Sequence, residues 1–251
     1  EIMIAAVRRS QRDFDSALAS KLLLNVCADG DGMFYDLSTF AVPSVGQSGL
    51  APVSDGLPVG AAAADFNGVN GGATFGNPAH LAALTNRFTV AAWIRPSPEM
   101  LDASRIGTIL TRSGNLSNSS ESGLRVLYGA YNFFTYQNGA RVGVSLGIPS
   151  EDVGRWVHIV GTFDGRVWRL YRDGFLAASV LQDGSFAKYY STCAVGVGCR
   201  PAVPDRFFQG GIRSTALWGR ALTSGEVEEL FRLEHSGGGV LPQTAQGETG
   251  G

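Results

Sequence analysis

Short apolar runs separated by Gly, Asn, Asp and Pro follow one another from Leu22 to Leu217, and this punctuation is incompatible with long helices. In residues 88–94, Phe88, Val90, Ala92 and Ile94 fall on one face and Thr89, Ala91 and Trp93 on the other, which is the two-residue period of a strand. Comparable runs cover 22–27, 107–111, 124–128, 132–137, 141–146, 156–163, 167–172, 175–180, 193–197 and 211–217. Their spacing, mostly about 8 to 12 residues, predicts an all-β sandwich or barrel. Asn138-Gly139, Asp173-Gly174 and Asp164-Gly165 read as two-residue hairpin turns, because these residues tolerate positive φ. Glycine supplies 34 of 251 residues with no three-residue period, so it marks tight turns rather than collagen.

The two ends have a different texture. Residues 1–21 read as an N-terminal arm: Ile2, Ile4 and Ala6 alternate like a short strand, and Ser10 with Asp13 predicts the cap of a brief helix carrying Phe14, Ala17 and Leu18. The opening residues lack the pattern of a secretory leader, and a start at Glu1 implies processing or trimming. Residues 236–251, beginning with Gly237-Gly238-Gly239, have almost no apolar side chains to bury and read as a flexible Gly-rich tail. The domain proper is expected to span 22–235, and one helix closes it. Thr223 caps that helix, Glu226 reaches back to complete a capping box, Leu222 staples onto Val227, and Val227, Leu230 and Phe231 form the apolar stripe.

Charge and composition exclude several partner classes. The 20 basic and 22 acidic residues are interspersed, leaving no broad basic face for phosphates, so nucleic acid is not expected. No apolar run approaches the roughly 18 to 20 residues needed for membrane insertion as a helix. Cys27, Cys193 and Cys199 are too few for a disulfide scaffold and lack zinc-site spacing. One bridge from Cys27 to either of the others, or three thiols, fits the sequence equally. A Cys193 to Cys199 bridge is disfavoured, since six residues of strand separate them by about 20 Å against the 7 Å limit of a disulfide.

Six stretches in register carry a family resemblance. They are Gly30-Asp31-Gly32-Met33-Phe34-Tyr35-Asp36-Leu37-Ser38, Phe66-Asn67-Gly68-Val69-Asn70, Phe88-Thr89-Val90-Ala91-Ala92-Trp93-Ile94-Arg95-Pro96, Trp156-Val157-His158-Ile159-Val160-Gly161-Thr162-Phe163-Asp164-Gly165, Leu170-Tyr171-Arg172-Asp173-Gly174, and the closing part from Phe208-Gln209-Gly210-Gly211-Ile212 to Leu217-Trp218-Gly219-Arg220-Ala221-Leu222-Thr223. Over residues 20–235 the chain resembles the laminin-G-like, concanavalin A-like lectin/glucanase jelly-roll superfamily. The resemblance implies two antiparallel sheets packed face to face. It leaves function open, since this superfamily includes glycan-binding modules, protein-binding domains, glycosidases, lyases and components of surface and phage particles.

The residues narrow that choice. Glycoside hydrolysis requires two facing carboxyl groups, and the Glu-x-Asp-x-x-Glu strand of laminarinase-like members is missing, so no catalytic residue is assigned and the chain is not expected to be an enzyme. Glu226, Glu228 and Glu229 fall on the helix as a solvated face. His158 is expected to be a buried, hydrogen-bonded imidazole; His80 and His235 lack a nucleophile partner. Asp29, Asp31 and Asp36 crowd the opening turn, but Met33 interrupts a calcium loop, and Arg213 and Ser214 stand where relatives often carry acids, so neither metal nor cofactor is expected. Binding remains. Tyr128, Tyr131, Phe134, Tyr136, Asn138 and Arg141, around one hairpin, offer the aromatic faces and amides used for sugars, although alternation sends about half of such a run into the core. The polar loop 113–122, with glycosylation-type sequences at Asn115 and Asn118, is a candidate rim. The expected function is non-catalytic glycan recognition at a cell or particle surface, outside the cell or on a virion. The alternative is a structural or decoration component joined to other subunits through residues 1–21; a glycosidase or lyase relative comes third.

Overall fold

The computed structural model describes residues 16–53, 55–57, 61–84, 86–113, 121–137, 139–182, 193–201 and 205–235. The expected strand and cap within 1–15, the tail 236–251, loop residues 114–120 and Asn138 lie outside them.

Alternation sets the architecture. Among the described residues sixteen strands, all pairing antiparallel, form two sheets. The larger comprises β1 (Leu22–Ala28), β2 (Phe34–Asp36), β4 (Leu50–Val53), β5 (Ala63–Asn67), β7 (Phe88–Pro96), β12 (Val157–Phe163), β13 (Val167–Arg172), β14 (Phe175–Leu181) and β16 (Gln209–Trp218). It runs β14-β13-β12-β7-β16-β1-β2, with β5 also pairing β16 and β4 pairing β5. The smaller comprises β3 (Gly46–Ser48), β6 (Gly72–Phe75), β8 (Ile106–Ser113), β9 (Glu121–Leu127), β10 (Ala130–Gln137), β11 (Ala140–Gly147) and β15 (Ala194–Val197), in the order β11-β10-β9-β8-β15-β6-β3. The core between them takes Phe88, Val90, Ala92 and Ile94 from β7, Val157, Ile159 and Phe163 from β12, and Tyr131 and Phe133 from β10.

Turn chemistry fixes the registers. Asp173 and Gly174 adopt φ of 50° and 85° between Arg172 and Phe175, and Gln137 pairs Ala140 around Asn138-Gly139. The Asp164-Gly165 turn is wider than two residues: the Asp164 side chain accepts the N–H groups of both Arg166 and Val167, so Val167 resumes pairing only after Arg166. Cys27, Cys193 and Cys199 are buried and unbridged.

A second apolar layer covers the outer face of the larger sheet. Helix α1 (Ser16–Ala19) and helix α2 (Ser224–His235) bring Leu18, Val227 and Leu230 onto Ala91, Val160 and Ala216. The Trp218 indole donates to the Leu18 carbonyl at 2.7 Å and Arg220 donates to the Ser20 carbonyl at 3.0 Å, so residues 16–20 of the expected arm lie on the domain. The capping box is formed: Thr223 Oγ1 accepts the Glu226 N–H at 3.3 Å and Glu226 Oε2 accepts the Thr223 N–H at 2.8 Å. Thr223→Ala is therefore expected to cost about 1 kcal/mol, read from the thermal midpoint. An unchanged midpoint would show that packing alone holds α2.

Candidate functional site

Giving Phe88, Val90, Ala92 and Ile94 to the core forces Trp93 and Arg95 outward on β7, and the same alternation turns His158 outward on β12. Trp93 is registered with both His158 and Ser214. On β16 the register shifts between Ile212 and Ser214, and this bulge at Arg213 aims its guanidinium over the Trp93 ring, 5.6 Å from the centroid. The last turn of α2 completes the layer: Phe231 stacks on Trp93 at 5.7 Å, and Arg213 donates to the Glu234 carbonyl at 3.1 Å.

Beside this layer opens a cavity of about 550 Å³ lined by Trp93, Arg155, Trp156, Asp173, Arg213, Phe231 and His235. A second, of about 650 Å³, is lined by Asp65, Asn67, Arg95, Ser97 and Gln209 among others. Gly154 belongs to the walls of both, so the two adjoin there and are together called the groove. Arg95 lies at the junction, 5.3 Å over the Trp156 ring and 3.2 Å from Asp65. Trp156 is half-buried and held in place, its Nε1 donating to the Asp55 carbonyl at 3.2 Å. Its ring lies against Gly211, where a Cβ would approach it to 2.7 Å. Asp173 accepts from the His158 N–H at 3.0 Å and from Arg155 at 2.9 Å, which fixes both sides of the first cavity. The groove therefore combines flat apolar surface with guanidinium, carboxylate and amide groups.

Behind the groove the structure corrects one expectation. His158 is fully buried and stacks on Trp93 at 5.1 Å, but neither ring nitrogen has a hydrogen-bond partner. Its Nε2 stands 3.6 Å from the buried Glu234 carboxylate. Burial, then the Arg213 charge, pulls the imidazole down to about 3. Burial pushes Glu234 up to about 7 against the opposing pull of Arg213. Burial, then Glu234, pushes the Cys27 thiol up against the opposing pull of Arg213.

The aromatic hairpin is not a single site. Tyr131 and Phe134 are fully buried: Tyr131 is a core residue whose hydroxyl donates to Asp152 at 3.0 Å, and Phe134 lies on the opposite sheet face with the Arg125 guanidinium 3.7 Å from its ring centroid. Tyr136 is half-buried and pairs across the strands with exposed Arg141, whereas exposed Tyr128 occupies the other end of β10, roughly 25 Å away along the strand. In the opening turn, Asp29 accepts the Asp31 and Met33 N–H groups, and buried Asp36 accepts from Asn25, Ser38 and Val42. Asp29 Oδ1 and both Asp36 oxygens are engaged by the backbone, and among the described residues no three His, Cys, Asp or Glu side chains converge as a metal site.

The groove residues that sequence reading missed had one signal, the outward parity of Trp93, which the alternation of 88–94 already implied. The bulge at Arg213 and the strand Ala63–Asn67 left no such signal.

Comparison with known proteins agrees with this architecture. The family model Laminin_G_3, described as concanavalin A-like lectin/glucanases superfamily, matches residues 67–228. No curated protein matches the chain. Among solved structures, the botulinum neurotoxin serotype G binding domain superposes with a TM-score of 0.66 at 16% identity over 84% of this chain and 50% of its own. The binding domain of Paraclostridial Mosquitocidal Protein 1 gives 0.65 at 18% over 85% and 52%. The botulinum neurotoxin serotype D binding domain gives 0.64 at 13% over 86% and 53%. The chain spans about half the length of these domains, and at such identities the likeness is one of fold.

Proposed function

Because the chain belongs to the concanavalin A-like lectin/glucanases superfamily, we propose that it is a non-catalytic β-sandwich binding domain that recognises a glycan at a cell or particle surface. The observation carrying this reading is the pair of adjoining cavities, the first lined by the Trp156 ring with Arg155 and Asp173, the second by Arg95, Asp65, Asn67 and Gln209. A sugar ring laid on the indole would exchange apolar C–H contact for water while its hydroxyls meet these fixed donors and acceptors. The solved neighbours, named as the binding domains of a neurotoxin and of a mosquitocidal protein, support a recognition role. Asp65 and Asp173 are each paired with an arginine, which fixes the orientation of both carboxylates in the groove. The alternative of a subunit tethered through residues 1–21 is weakened by the docking of residues 16–20 on their own domain.

Trp156→Ala is expected to reduce retention on a positive glycan of an array at least tenfold, with the far-ultraviolet spectrum unchanged. Full retention by the folded variant would remove the groove as the site, and an array without any positive would remove the glycan reading.

A further inference from the structure

The first cavity borders the point where the chain leaves the domain. Helix α2 ends at His235, whose ring stands 5.2 Å from Phe231 and 6.1 Å from Trp93, and all three residues line that cavity. Arg213 pins this turn by donating to the Glu234 carbonyl at 3.1 Å, so the chain departs from a fixed place on the cavity wall. Much of that wall is apolar, formed by Trp93, Trp156, Phe231 and Leu57. Beyond His235 the sequence continues Ser236-Gly237-Gly238-Gly239-Val240-Leu241-Pro242. Within 236–251, Val240 and Leu241 are the only large aliphatic residues, and they stand together directly after the glycines. Three consecutive glycines accept either sign of φ without a steric cost, which suits a reversal of the chain. Five residues at no more than about 3.6 Å each keep Val240 within roughly 18 Å of His235.

We infer that Val240-Leu241-Pro242 folds back into the first cavity, against Trp93, Trp156 and Phe231, and is a built-in competitor for whatever the groove binds. Proline, its φ already fixed, docks on aromatic surface with little further loss of entropy. A short tether raises the local concentration of the segment to the order of millimolar. With an intrinsic Kd of about 0.1 mM it would be docked in roughly nine molecules of ten and would weaken a competing ligand about tenfold. The docking is independent of the glycan reading; only the competition with a glycan rests on it.

The test uses the full chain and acrylamide quenching of tryptophan fluorescence. Of the four tryptophans, Trp93, Trp168 and Trp218 are buried and Trp156 is half-buried, so this neutral quencher reads chiefly Trp156. Leu241→Ser removes apolar area from the docked segment and should raise the quenching constant about twofold or more, with the far-ultraviolet spectrum unchanged. Thr244→Ser, outside the apolar triplet, should leave it as in the parent. Equal quenching of the parent and Leu241→Ser would overturn the inference, as would a difference that persists in a Trp156→Phe background. Protection that fades on dilution would assign the cavity to the tail of a second copy and overturn the fold-back. On a positive glycan of the array, Leu241→Ser should bind about tenfold tighter than the parent. Equal glycan affinities would overturn the competition, whereas a quenching difference without glycan binding by either protein would overturn the glycan reading and leave the docked tail standing.

Discussion

Asp152→Ala should lower the unfolding free energy by about 3 to 5 kcal/mol, the cost of removing one partner from a buried charged network. Asp152 is fully buried in the short 3-10 turn Ser150–Asp152. Arg172 Nε donates to its two oxygens at 3.0 and 2.9 Å, Arg155 donates at 2.8 Å, and the Tyr131 hydroxyl donates at 3.0 Å. Burial alone would raise this carboxyl, but the hydrogen bonds from Arg172, Arg155 and Tyr131 outweigh it and hold the group below the ordinary carboxylate range. A depressed carboxylate contributes stability above its unfolded pKa of roughly 3.9, and that contribution is lost as pH falls through the folded value. The variant should therefore also be less acid-sensitive than the parent below about pH 4. In a domain of this size the loss corresponds to a fall of roughly 6 to 20 °C in melting temperature. Glu151→Gln is the control: Glu151 is 66% exposed and 3.3 Å from the same Arg172, so its removal should cost less than about 1 kcal/mol. Equal effects from the two substitutions would mean that surface charge, not the buried network, is what matters here.

The same network explains which parts of the molecule were legible in the chain. Alternation in residues 88–94 was sufficient to place β7, because its neighbours on both sides, β12 and β16, demand one face for the core. The capping box at Thr223 was likewise local and readable. Strands such as Gly46–Ser48 and Leu50–Val53 were not, since they are short and largely exposed and exist only because other strands offer them partners. The hairpin aromatics were missorted for a related reason. Alternation says that Phe133 and Phe134 face opposite ways, but only the long-range partner Asp152 shows that a tyrosine with its polar hydroxyl belongs to the core face. The groove draws on β4, β5, β7, β16, residues 154–156 and the end of α2, so no single segment carries its pattern.

The His158 and Glu234 pair should make stability nearly flat between about pH 4.5 and 6.5, and breaking either half should tilt that plateau in opposite directions. Glu234 is raised from 4.5 to about 7, so the stability it contributes is fully present below pH 4.5 and is lost as pH rises through 7. His158 is depressed from 6.5 to about 3, so its contribution is present above pH 6.5 and is lost as pH falls through 3. Between 4.5 and 6.5 the unfolded chain holds one proton on the histidine, while the folded chain holds one on the carboxyl. The counts are equal, and they remain equal if the folded proton resides on the imidazole across the 3.6 Å gap. Glu234→Gln leaves only the histidine, whose shift arises from burial and Arg213 rather than from the carboxylate, so stability should fall by about 1.4 kcal/mol per pH unit on acidification across this window. His158→Gln leaves only the carboxyl and should give the opposite slope. The buried Cys27 thiol, pushed up by its burial, stays protonated and adds no slope of its own. Urea midpoints of the parent and both variants from pH 4 to 7.5 supply the comparison, with contributions from the other groups cancelling in the differences. Three parallel curves would show that the pair does not titrate as one unit and that the last turn of α2 is held to the sheet by the Trp93, Phe231 and Arg213 contacts alone.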